Sequence, residues 1–94
     1  MSIYLTAIVK SKKETTAALR TMLLDMVVNS RKEEACIQYD LHEAAEGNTF
    51  IFQEEWKDHA GLDLHDQQPY ILAFIAQADT LTDGVVIYKT EKLA

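Results

Sequence analysis

Basic residues are scarce in this chain, nine lysines and arginines against fifteen aspartates and glutamates, for a formal charge of -6. Phosphate binding needs clustered cations, and these are scattered, so nucleic acid and anionic membranes are disfavoured as partners. Long apolar runs are also missing. Nothing approaches the ~20 residues that span a bilayer, and Met1-Ser2-Ile3-Tyr4 does not open a basic region followed by an apolar core. A cytoplasmic protein is expected. The single cysteine, Cys36, has no partner for an internal disulfide, in keeping with a reducing compartment. Three glycines, Gly47, Gly61 and Gly84, lie too far apart to cradle a phosphate, and no serine occupies a Gly-x-Ser-x-Gly elbow. Nucleotide-dependent redox chemistry therefore has no local support.

What remains is an ordinary folding sequence. Ninety-four residues, 48% hydrophobic and 26% charged, suit one domain spanning 1–94, with no linker, repeat or low-complexity stretch. Ile3, Leu5, Ala7 and Val9 alternate with Tyr4, Thr6, Ile8 and Lys10, which predicts a strand over 3–10 with both faces mostly apolar. Ser11-Lys12-Lys13-Glu14 reads as a capping box opening a helix to about Ser30. Its apolar stripe is Ala18, Leu19, Met22, Leu23, Met26 and Val27. A second strand, Cys36 to Glu43, sets Ile37, Tyr39 and Leu41 on one face, and turn residues at 44–48 lead into a third strand over 49–56. Asp58 caps a short helix through His65, and Pro69 opens another to about Leu81 with Ile71, Leu72, Phe74 and Ile75 buried. Thr82-Asp83-Gly84 ends that helix, and Val85 to Lys89 forms the last strand.

The order βαββααβ is the split βαβ, ferredoxin-like pattern, an α+β fold with a four-stranded antiparallel sheet and helices on one face. Ile8, Val85 and Ile87 are expected on the face that the helices leave bare, opposite Ala7 and Val86. A large apolar sheet face is unusual on a monomer, so a homodimer packed sheet to sheet is expected.

Within the third strand, Phe50, Phe52, Glu54 and Trp56 share a face, since successive side chains of a strand point to opposite sides. A carboxylate among three aromatic rings costs several kcal/mol unless paired, hydrogen-bonded or protonated. Glu54 is thus either part of a site or a structural partner of a buried hydroxyl, Arg20 or Arg31. Tyr39, Glu54, His65, Tyr70 and Tyr88, with Trp56 as an apolar wall, converge where the hairpin meets the short helix. A histidine beside a buried acid is a workable general base, although many histidines only cap helices or face solvent. No metal site is expected from His42, His59 and His65, because His59 and His65 are not spaced to stack on one helical face. Cys36 follows Glu33 and Glu34, which raise a thiol pKa, and reads as a small packing residue.

Four segments, Ser30-Arg31-Lys32-Glu33-Glu34-Ala35-Cys36-Ile37-Gln38-Tyr39, Phe52-Gln53-Glu54-Glu55-Trp56, His65 and Gln68-Pro69-Tyr70, carry a family resemblance in order and spacing. By them the chain resembles the antibiotic biosynthesis monooxygenase domain family, especially small stand-alone members similar to bacterial quinol monooxygenases. Members commonly carry Glu-Pro-Gly-Cys where this chain has Glu34-Ala35-Cys36, an aromatic in place of Gln53, and an arginine in place of Glu55. The resemblance implies a dimeric ferredoxin-like α+β barrel. It also implies oxidation of a quinol or polycyclic phenol by O2 without metal, flavin or haem. In that reading His65 accepts the proton, and Glu54 orients it or holds a substrate hydroxyl. Tyr39, Phe52 and Trp56 wall the ring, with Tyr70 and Tyr88 as further substrate contacts. Haem-degrading relatives use a histidine on the last helix and an asparagine on the first strand, where this chain has Phe74-Ile75-Ala76 and Thr6-Ala7-Ile8. Two alternatives stand beside the oxygenase: an isomerase of a small phosphorylated signal, and an aromatic-ligand-binding or stress-response module without turnover.

Overall fold

The computed structural model describes all residues, Met1–Ala94. Strand β1 (Ile3–Ser11) leads through a 3-10 turn (Lys13–Thr15) into helix α1 (Thr16–Ser30). The hairpin β2 (Cys36–Glu43) and β3 (Thr49–Trp56) follows, then α2 (His59–Asp66), α3 (Pro69–Leu81) and β4 (Thr82–Thr90). All pairings are antiparallel and the sheet order is β2-β3-β1-β4, the ferredoxin-like arrangement. No helix is long and apolar enough to cross a membrane.

Alternation along β1 and β3 decides which face is buried. Leu5, Ala7 and Val9 lie opposite Glu54, Phe52 and Phe50, and directly opposed residues share a face. That face packs under the helices against Leu19, Leu23, Met26, Leu62, Ile71 and Phe74. The β2–β3 turn is closed by Gly47 N–H donating to Ala44 O and by Ala44 N–H donating to Thr49 O, both 2.9 Å. Gly47 and Asn48 have φ of 85° and 60°, values that glycine and asparagine tolerate best.

Several expected details differ. Ser11 belongs to β1, and its hydroxyl lies 2.7 Å from that of Thr16 instead of capping a helix. The entry to α1 is closed by Thr15, whose hydroxyl accepts from Lys12 N–H at 3.1 Å, so the helix begins a turn later. A bulge between Cys36 and Gln38 takes Ile37 out of phase with Tyr39 and leaves it exposed. Ala18 is exposed on α1, as are Leu72 and Ile75 on α3, because these helices rest a narrower stripe on the sheet than their apolar residues would allow.

The last strand shows the largest difference. Thr82, Asp83 and Gly84 are strand residues that follow α3 directly, with Ser11 opposite Thr82 across a register shift. Ala7 then faces Ile87, Val9 faces Val85 and Ile8 faces Val86. Val85 and Ile87 therefore lie on the helix side of the sheet, and the bare face carries Ile8 with Val86 and Tyr88. Pairing with β1 sets this phase. A strand that is exposed along most of its length displays no alternation from which to read it.

Candidate active site

A cavity of about 120 Å³ lies between the sheet and the helices, reached from the α3–β4 side. Twelve of its fifteen lining residues are hydrophobic, and Glu54, His65 and Asp66 supply the remainder. Two sequence-predicted groups, Glu54 and His65, thus meet at one space, with Tyr39 and Phe52 also in its wall. A second depression, of about 240 Å³, lies by Glu34, Lys57, Asp58 and Leu64, but only two of its eight residues are hydrophobic. Aromatic ligands suit the first.

His65 comes from the last turn of α2. Asp58 accepts from Gly61 N–H at 2.8 Å and caps the helix, satisfying an amide that the first turn leaves unpaired. Gly61 lets the helix approach the 31–35 turn: a Cβ there would stand 2.2 Å from the Cβ of Ala35. That close approach sets His65 against Glu33. The imidazole Nδ1 lies 2.7 Å from Glu33 Oε2, and the same oxygen accepts from the Tyr70 hydroxyl. With Nδ1 held by a carboxylate, Nε2 is the ring nitrogen left to act on a ligand.

The ring is also held by packing. Trp56 lies 4.3 Å from it between centroids, Tyr39 5.5 Å and Tyr70 6.4 Å. Tyr39 in turn contacts Phe52 at 5.2 Å and Trp56 at 6.1 Å, so β2 and β3 present a continuous aromatic wall. Glu54 lies beneath it. Its Oε1 accepts from the Trp56 indole N–H at 2.9 Å. Burial is the main cause that pushes its pKa up to about 7, aided by the charges of Asp66 and Glu33 and opposed by the indole hydrogen bond. Near neutrality Glu54 therefore exists in both forms, able to donate or accept. Burial likewise raises the phenols of Tyr39 and Tyr70, with the Glu54 charge acting on Tyr39 and the Glu33 hydrogen bond on Tyr70. Neither phenol ionises at physiological pH.

The structural partners expected for Glu54 are engaged elsewhere. Arg20 makes a two-pronged pair with Glu43, both contacts 2.8 Å, and Arg31 donates to Tyr39 O at 3.1 Å and to Asp40 at 3.0 Å. The resemblance implies that Glu54 orients His65 or holds a substrate hydroxyl; the carboxylate bonded to the imidazole is Glu33. Sequence reasoning missed Glu33 because it sits in a turn without periodicity. Its only signal was its place in the segment that carries the family resemblance. Tyr88 stands apart: it faces Thr6 on the outer side of β4 and is exposed. Cys36 is half-buried at the sheet edge, its thiol pushed up to about 11 by burial first and by Glu33 and Glu54 next. It is not a nucleophile at neutral pH.

Residues 2–77 match the family described as antibiotic biosynthesis monooxygenase. The chain belongs to that family. A relative in Bacillus subtilis (strain 168), named Putative monooxygenase YcnE, is 36% identical over 91 residues, covering 95% of this chain and 96% of its own length. Putative monooxygenase Rv0793 of Mycobacterium tuberculosis is 33% identical over 70 residues, 74% of this chain and 69% of its own. The solved structure of Rv0793 superposes with a TM-score of 0.93 at 27% identity, covering 100% of this chain and 97% of that one. The crystal structure of PA3566 from Pseudomonas aeruginosa gives 0.93 at 31%, covering 99% and 95%.

Proposed function

We propose that this member of the family is a monooxygenase that oxidises a quinol or electron-rich phenol with O2 and needs no metal, flavin or haem. The observation that carries the reading is His65, buried at the wall of a mostly apolar cavity with Nδ1 on Glu33 and Nε2 left for a ligand hydroxyl. The names of its relatives support the reaction class.

His65 takes the phenolic proton, and Glu33 stabilises the imidazolium that forms. The phenolate gives an electron to O2, and the resulting pair combines at a ring carbon bearing hydrogen. The imidazolium returns its proton to the peroxide. Loss of that carbon's hydrogen and cleavage of the O–O bond release water and leave the quinone, so one O2 yields one ring oxygen and one water. Tyr39 and Phe52 hold the ring with Trp56 behind them, and the apolar lining excludes water. Glu54 in its neutral form donates to a second ring oxygen. A phosphorylated sugar fits less well, since Glu54 and Asp66 in the lining would oppose its charge.

The protein acts as a dimer in this reading. On the bare sheet face Ile8 lies opposite both Ile51 and Val86, with Tyr88 beside them, and a second copy packed sheet to sheet would cover it.

O2 uptake with chelator present, against a panel of hydroquinones and anthrones, tests the chemistry. Protein-dependent uptake that falls at least tenfold in His65→Ala or Glu54→Ala supports it. Ligand binding without uptake across the panel would leave a binding module in its place.

A further inference from the structure

The cavity lining combines buried polar groups with exposed aliphatic residues. Three of its polar residues are buried, Tyr39, His65 and Glu54 being 2%, 4% and 6% exposed. Its rim is mostly aliphatic: Val85, Ile75 and Ile87 line the same space and are 37%, 59% and 59% exposed, with the exposed Asp66 also in the lining. The cavity volume of about 120 Å³ is close to that of the ~150 Å³ apolar cavity known to take one benzene. One ring fills it.

Resting on the phenol-oxidising reading above, we infer that the substrate is a single-ring phenol or hydroquinone carrying a linear apolar substituent, not a fused polycycle. The phenolic hydroxyl meets His65, and in a hydroquinone a second ring oxygen meets Glu54. The substituent leaves through the mouth and lies along Ile75, Val85 and Ile87. A second copy is not the occupant of this rim, because the bare sheet face holding Ile8, Val86 and Tyr88 is on the other side of β4.

The test is calorimetric binding of a 4-alkylphenol series and of naphthols and anthrones matched in carbon number, without O2, so that no turnover is needed. A methylene leaving water completely is worth about a fourfold gain in affinity, so each of the first few should bring a two- to fourfold gain. Ile75→Ser and Ile87→Ser, both at exposed positions, should flatten that slope. A flat slope in the unmodified protein, or tighter binding of the fused rings, overturns the inference. So does a slope that disappears at concentrations where sedimentation shows a dimer, since a second copy would then cover the rim. A flat slope with O2 uptake intact refutes this substrate class alone, whereas an intact slope without O2 uptake refutes the oxidation alone.

Discussion

Two carboxylates stand at the candidate site, Glu33 bonded to His65 and Glu54 in the cavity lining, and their surroundings differ. Glu33 is drawn on by two partners, the imidazole and the Tyr70 hydroxyl. Glu54 has one donor, the indole, and burial holds its pKa near 7. Glu33→Gln keeps the shape but removes the charge that faces the imidazolium. Its O2 uptake should fall on the order of 10- to 100-fold, within the range a general base contributes. Nitrogen-15 NMR should show His65 protonated at Nδ1 in the unmodified protein and as a tautomer mixture in the variant, because an amide offers either an acceptor or a donor. For Glu54 the folded state binds its proton more tightly than the unfolded chain, where the value is about 4.5. Its penalty is therefore absent below pH 4.5, grows as pH rises, and is complete above about 7, on the order of 3 kcal/mol. Glu54→Gln should raise the melting temperature at pH 8 and change it little at pH 4, as thermal unfolding at the two values would show. Glu54 was legible in the sequence because strand period 2 put it among aromatics. Glu33 was not, since a turn has no period that reports where a side chain points.

α2 is the element that places His65, and two residues place α2. Asp58→Ala removes the cap and should cost about 1 kcal/mol in chemical denaturation. Gly61→Ala adds a methyl where Ala35 already stands, and overpacking of this kind costs about 1–3 kcal/mol. Since the shift moves His65 away from Glu33, activity should fall at temperatures where the variant is still folded. Most elements were legible, because capping, proline and alternation signals agreed for β1, β3, α2 and α3. The start and phase of β4 were not: Thr82-Asp83-Gly84 resembles a helix stop, and pairing with β1 overrides it.

For the whole molecule, the bare sheet face predicts association. Sedimentation at micromolar concentration should give twice the chain mass, and Ile8→Lys or Val86→Lys should return it to one chain, since an unpaired charge on the bare face is costly to bury against a second copy. The fold class was legible from the order of elements, and the face that needs covering was legible only in part. Val85 and Ile87 belong to the cavity instead. The central claim, that His65 in this cavity takes a proton from a bound phenol, is tested most directly with 4-nitrophenol, whose anion is yellow. It would be bound without turnover at a pH below its own pKa. The account predicts the spectrum of the anion in the unmodified protein and of the neutral phenol in His65→Ala. Neutral phenol in both, or equal ionisation in both, would contradict it.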